Sequence, residues 1–370
     1  MSKLTIAAAV CLAAFAFGGA KAEAQGPGNT FPDALDVQLA RPNPLPFMKD
    51  PRPQDYEIRD GIVNRVHSLF LAGRFQELEG MAEAYRTNDR RTPAGAWKID
   101  VFYQTFFGCM CEEEDQEARA SALKGNLEQA RKYKKQYPAS PTPLLIEANI
   151  LYAQAWHARG QGWAQKVSAR DWQVFYDKIE EAQKLLEANA DVVMRDPATS
   201  ALMVDMASMT PVSDDVFISL VDSHMRVNGA YTPIYFPAMR LYYPNWRDSP
   251  QAIEFFARNA VKASEAREGK SLYARIYLHA YYEYGKDLYT ATDVDKEYLR
   301  KAVFNLLNRY PDRHNFEVFG IMACDLEDWA MAAPIFARLQ ELPSQEYLHW
   351  GVDVPYQACR GKMYNLKRAL

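Results

Sequence analysis

Between Ile58 and Leu339 the apolar side chains recur every three or four residues, and nowhere do they alternate with polar ones long enough to specify a strand. That spacing restricts the chain to helices whose apolar stripes are buried against one another. Ile58, Ile62, Val66, Leu69 and Phe70 fall on one helical face. Gly73 interrupts it, and Phe75, Leu78, Ala82 and Tyr85 begin the next helix, which predicts a helix-turn-helix hairpin. The end signals agree. Ser168-Ala169-Arg170-Asp171 and Thr292-Asp293-Val294-Asp295 read as capping boxes, with Asp in place of the usual Glu or Gln. Thr232-Pro233 and Ser249-Pro250 each set a capping hydroxyl before a proline at the first helical position. Pro138, Pro197, Pro311 and Pro343 fall just past helical runs, where they stop continuation. Glycine, 18 of 370 residues, is too scarce for a turn-rich barrel or sandwich.

One stretch scores against a repeat template. Phe316, Phe319, Gly320, Ala323, Trp329, Ala332, Phe336 and Leu339 match the small and large positions of a tetratricopeptide hairpin. The Gly73-Arg74-Phe75 turn with Leu78 matches its hairpin turn. Other segments match poorly, as degenerate repeats do. The expected fold is all-α, a tetratricopeptide-like solenoid of about five to seven hairpins over residues 54–370, sharing one continuous core.

Two segments precede the helices. Lys3, the apolar run Ile6 to Phe17 and the small-x-small sites at Ala20–Ala22 and Ala22–Ala24 read as a signal peptide over 1–24. The run is too short to span a hydrocarbon core of ~30 Å. Residues 25–53 hold Pro27, Pro32, Pro42, Pro44, Pro46, Pro51 and Pro53, which forbid helix and predict an extended, proline-rich arm. The expected location is exported, periplasmic or extracellular, with no integral membrane segment in the mature chain. In such a compartment Cys109, Cys111, Cys324 and Cys359 invite disulfides. Cys324–Cys359 is the pairing expected, although equivalent positions of successive hairpins can lie beyond the ~7 Å Cα limit. Cys109-Met110-Cys111 lacks the spacer of a redox pair, and the Glu112–Asp115 run after it reads as a helix start or, less simply, a metal site.

The chemistry is mostly one of exclusions. With 43 basic and 47 acidic side chains and a formal charge of -4, no broad nucleic-acid-binding surface is expected. No nucleophile elbow, zincin pair or dinucleotide turn occurs. Gly269-Lys270-Ser271 lacks the first glycine of a phosphate loop. His279 and Glu283, one turn apart, read as an acid/base couple or as a helix-surface hydrogen bond. No cofactor or metal is called for.

Two features stand out as binding candidates. Arg159-Gly160-Gln161-Gly162 concentrates glycine between Trp156 and Trp163, with Arg159 able to fork onto an anionic group. The same residues also make an ordinary turn in which Arg159 caps the preceding helix. Tyr273, Tyr277, Tyr281 and Tyr284 form a stripe at helical spacing, suited to a recognition face or to packing between hairpins. The segment Trp156 to Ala164, with Val167 and Trp172, resembles the AWxARGxGxA signature of the uncharacterised bacterial domain-of-unknown-function family 4034. Pro244-Asn245-Trp246 ahead of Phe255-Phe256-Ala257, and Ala323-Cys324-Asp325 with Trp329, resemble its later segments. Asn245 and Arg247 depart from its basic residue and glycine. The resemblance spans Ile58 to Trp350 and implies an architecture without an activity. The functional expectation is a binding or scaffold protein with a protein or peptide partner. The alternative is an envelope-associated hydrolase whose site is assembled from distant helices.

Overall fold

The computed structural model describes residues 55–107, 116–160, 162, 164–243, 249–339, 359 and 361. The expected signal peptide, proline-rich arm, Cys109–Cys111 pair, Gln161, Trp163 and the 244–247 motif lie outside them. Among the described residues every regular element is helical, and the one β contact is an isolated antiparallel bridge between Arg91 and Trp97. The longer helices are α1 (Asp55–Leu71), α2 (Phe75–Thr87), α3 (Lys98–Phe107), α4 (Gln116–Gln136), α5 (Pro141–Arg159), α6 (Ala169–Glu187) and α7 (Ala198–Ser208). They continue with α8 (Asp214–Asn228), α9 (Ala252–Glu268), α10 (Ser271–Tyr284), α11 (Lys296–Arg309), α12 (Arg313–Asp325) and α13 (Trp329–Leu339). Short helical turns, Thr232–Ile234, Tyr235–Ala238 and Met239–Tyr242, link α8 to α9.

Local rules account for most of these elements. Ile62, Val66, Leu69 and Phe70 form the buried face of α1, and Phe75, Leu78 and Ala82 that of α2. Ser168 Oγ accepts from Asp171 N at 3.1 Å and starts α6 as a capping box does. α5 presents no solvent-facing polar stripe over its first three turns: Leu144, Leu145, Ile146, Ala148, Ile150 and Leu151 are all buried, and so is Glu147, paired with Arg131 and Lys134. A helix with no polar face belongs in the middle, and α5 packs against α3, α4, α6 and α7. Each of its leucines and isoleucines contributes about 1.5–3 kcal/mol by leaving water. Gly320 lets α12 and α13 approach closely, since a Cβ there would lie 3.2 Å from Ile335 Cγ2.

Three expected caps move. Thr292 does not start a helix; its hydroxyl donates to Leu288 O, and Asp295 instead accepts from Tyr298 N at the start of α11. Thr232 lends its Oγ1 to Trp97 Nε1 at 3.1 Å instead of capping its own turn. α9 begins at Ala252, three residues after Ser249, with no side-chain cap. In each case a competing partner or a longer turn is better placed than the local amide.

Two structural features go beyond local pairing of neighbours. The first is closure. α1 packs on α3, α3 on α7, α7 on the Tyr235–Ala238 turn, that turn on α10, α10 on α12, and α12 back on α1. These elements form an inner ring, with α2 packed against α1 and α3, α9 against α10, α11 against α10 and α12, and α13 against α12. The second is the 91–97 loop, which crosses the N-terminal ends of the inner helices. Ala94 N donates to Asp55 Oδ1 (2.9 Å), while Ala94 O accepts from Arg275 Nη2 (2.5 Å) and Asn315 Nδ2 (3.1 Å). Arg91 lies 3.6 Å over the Trp97 ring and pairs with Glu268. At the opposite ends of the inner helices, Cys324 of α12 is joined to Cys359 by a disulfide with Cα atoms 5.8 Å apart, within reach of a bridge.

Candidate binding site

The inner helices supply the side chains that the core does not absorb. On α10 the buried face carries Leu272, Tyr273, Ile276, Tyr277 and Ala280. Arg275, His279 and Tyr282, at offsets of four and three, make a second stripe that is not buried with them. Asp100 and Gln104 do the same on α3, and Asp205 on α7.

These groups are accessible and desolvated at once. Tyr282 is 52% exposed, yet loss of solvation raises its phenol above the ordinary range. Asp100 keeps part of its surface, yet burial pushes its carboxyl up to about 6, helped by the Asp205 carboxylate and opposed by Tyr231 and Arg59. Burial drives His279 down to about 4, with Arg240 adding to the effect. A group that a water molecule can touch but that protein surrounds on most sides lines a concavity. The mutual influences of Arg59, Asp100 and Asp205, and of Arg240 and His279, are joined by the Asp205–Arg240 ion pair, so charges from α1, α3, α7, the 239–242 turn and α10 lie around one candidate recess.

Its polar groups are held in place. Asp100 accepts from Gln104 Nε2 (2.7 Å) and from Tyr231 OH (3.2 Å). Arg240, 5% exposed, pairs with Asp205 and donates to Ser208 Oγ at 2.6 Å. Arg240 Nε is buried without a hydrogen-bond partner. His279 stacks on Phe236 with ring centroids 4.7 Å apart, and its edge meets Tyr282 at 6.4 Å. Among the described residues no group of three or more His, Cys, Asp or Glu side chains is placed to hold a metal ion.

The sequence-derived candidates lie elsewhere. Arg159, 8% exposed, donates from Nη1 to Gly160 O (2.9 Å) and Gly162 O (3.2 Å). Its guanidinium sits 5.3 Å from the ring centroids of both Trp156 and Trp172. The described geometry is that of an arginine holding its own turn. Arg159→Ala is expected to lower unfolding free energy by about 1–3 kcal/mol, because a buried side chain loses its two hydrogen bonds to the loop and its contacts with Trp156 and Trp172. Thermal denaturation reads this, and an unchanged Tm contradicts it.

The tyrosine stripe is buried at Tyr273 and Tyr277 and half-buried at Tyr281 and Tyr284. Tyr273 and Tyr277 are 0% exposed, and both hydroxyls donate to Glu254 Oε2, at 2.5 and 2.6 Å. Tyr281 donates to Asp325 Oδ2 at 2.5 Å and Tyr284 to Tyr242 O at 2.9 Å. Tyr277 therefore offers no recognition face, because its ring is buried and its hydroxyl is held by Glu254 of α9. His279 is engaged by ring stacking against Phe236, and Glu283, raised by burial, lies on the same helix. Asp100, Gln104, Asp205, Arg240 and Tyr282 went unmarked in the sequence because no short-range spacing unites residues of separate helices. The one local clue was the polar stripe Arg275–His279–Tyr282 opposite the tyrosines.

Comparison with known proteins adds no relative: no family model, curated protein or solved structure matches the chain.

Proposed function

We propose that the chain is an exported helical-repeat binding or scaffold protein that seats part of an envelope partner in the recess of its inner helices. The reading is supported above all by the accessible yet desolvated groups Asp100 of α3 and His279 and Tyr282 of α10, with the Asp205–Arg240 ion pair between α7 and the 239–242 turn. A site of that kind is the usual design for recognition: a concave surface with a few fixed polar groups. In this reading the hairpins are degenerate tetratricopeptide-like repeats related to family 4034. Residues 1–24 direct export, and the proline-rich 25–53 arm tethers the helical body. A protein or peptide partner is the class such a surface most often takes.

A hydrolase remains the second reading. It is favoured by one observation, a carboxyl at Asp100 raised to about 6 opposite the Asp205 carboxylate of another helix. Retrieval of partners from native envelope extract, with the wild-type chain and with Gln104→Trp as baits, tests the first reading. The indole would fill the recess from an exposed position on α3. A partner held by the wild type and lost by the variant is expected; one held equally by both places recognition elsewhere.

A further inference from the structure

Three arginines close on two adjacent residues of the 91–97 loop. Arg91 Nη1 donates to Gly95 O at 2.8 Å, and Arg275 Nη2 donates to Ala94 O at 2.5 Å. Arg59 reaches the same place through Asp55, with which it pairs at 2.5 Å and whose Oδ1 accepts from Ala94 N at 2.9 Å. Two of these cations have a carboxylate: Arg59 has Asp55, and Arg91 has Glu268. Arg275 has none within ion-pair distance among the described residues, and its one hydrogen bond among them is that to Ala94 O. Glu268 acts on it from further off, held by Arg91 and by Tyr310 OH at 3.0 Å. Asp312 caps α12 through His314 N at 2.9 Å and is pushed up to about 6 by burial. Asp100 is bonded to neutral Gln104 and Tyr231, and of the three arginines Arg59 is the one that influences it.

Arg275 is half-buried, and burial lowers its guanidinium to about 10, with Arg91 and Arg59 adding to the effect. A cation kept in such surroundings without a counter-ion is costly unless an anion answers it. The N-terminal ends of α1, α10 and α12 meet the loop here, through Asp55, Arg275 and Asn315, and their dipoles add positive potential. A guanidinium carries five N–H donors that form two bidentate edges. Ala94 O takes one donor of Nη2, so one edge stays whole. Two parallel N–H donors fit a carboxylate, and a single unanswered positive charge admits one negative charge.

We infer that the free edge of Arg275, where α1, α10 and α12 hold the 91–97 loop, binds one carboxylate of a polypeptide partner, from its C-terminus or from an acidic side chain. The site depends on neither Gln104 nor Tyr282, so it stands or falls apart from the recess reading. A phosphate group, with a charge of about −1.5 to −2 at pH 7, is the poorer match.

NMR titration that follows the backbone amides of Ala94, Gly95 and Ala96 tests it. The probes are acetyl-tetraalanine with a free C-terminus, the same peptide amidated, an amidated peptide carrying one glutamate, and inorganic phosphate. The wild type is compared with Arg275→Gln, Arg275→Lys and Arg258→Gln. Arg258 of α9 is ion-paired with Glu254 and Asp295 and serves as the control for a general loss of positive charge. Circular dichroism first checks that each variant is folded. At least one carboxylate peptide is expected to bind saturably, and the free-terminus and glutamate probes tell which source is taken. Affinity should fall tenfold or more in Arg275→Gln and several-fold in Arg275→Lys, which keeps the charge and loses the edge, and stay unchanged in Arg258→Gln. The assignment is overturned if neither carboxylate peptide binds, if the amidated alanine peptide binds equally well, or if binding is indifferent to Arg275. Binding of phosphate alone overturns the carboxylate class. Should Arg275→Gln fail to fold, Arg275→Lys and the comparison of acid with amide decide the matter.

Discussion

Asp196→Ala is expected to destabilise the protein by about 3–5 kcal/mol, the cost of leaving one half of a buried ion pair alone. Asp196 is 0% exposed. Its Oδ2 accepts from Arg86 Nη1 and from Tyr103 OH, both at 2.8 Å, and its Oδ1 accepts from Ala198 N at 3.0 Å. One carboxylate thus ties α2, α3 and the first turn of α7. Arg86 also reaches Thr142 Oγ1 of α5 at 3.1 Å, so four helices meet there. With alanine at 196, the Arg86 guanidinium, 9% exposed, keeps its charge and loses its buried counter-ion. Asp196→Asn keeps the shape and one acceptor, so its loss should be clearly smaller. Urea unfolding of the three proteins measures the series. A loss below 1 kcal/mol for the alanine variant would show that Asp196 is not the tie described.

Gly95→Ala should cost about 2–4 kcal/mol, a large effect for a single methyl group. Two sources add. Gly95 has φ +84, a left-handed backbone that costs an L side chain about 1–2 kcal/mol. A Cβ would also lie 2.8 Å from Arg275 Nη2 and from the Tyr310 ring, so the 91–97 loop would have to lift away. Overpacking of that kind costs about 1–3 kcal/mol. Gly285 separates the two contributions: it has φ +54, and a Cβ there meets nothing within 4 Å. Gly285→Ala should therefore show the backbone cost alone. Equal destabilisation of the two variants, measured by the same unfolding experiment, would mean that the loop does not clasp the inner helices tightly.

Legibility followed the range of the interactions. The hairpin around Gly73 and the Ser168–Asp171 cap depend on residues three to five apart, and periodicity exposes them. The same short range misled at Thr292 and Thr232. Thr292 had a closer partner in Leu288 O, and Thr232 a distant one in the Trp97 indole. An array of hairpins is likewise a nearest-neighbour picture, and the α12–α1 contact depends on ends that no local pattern relates. The recess was hidden for a similar reason. Asp205 and Arg240 are ordinary surface residues as sequence, and only closure turns their side chains inward. Tyrosine-rich α10 drew attention to its buried face, where four hydroxyls already have partners, while Tyr282 on the other face passed as one more exposed residue.

Closure also imposes an order on assembly. Ala94 O and Asn315 Nδ2 are separated by 221 positions along the chain. A polypeptide emerging from its N-terminus makes α1, α2 and the 91–97 loop long before the groups that clasp that loop exist. Until α9 arrives Arg91 lacks Glu268, and until α10 and α12 arrive Ala94 O lacks both of its donors. Such long-span contacts are the slowest to form, since loop entropy is spent before they give anything back. The early half of the molecule is therefore a waiting structure, and a chain stopped before Glu268 has the loop but none of Glu268, Arg275 and Asn315, which clasp it.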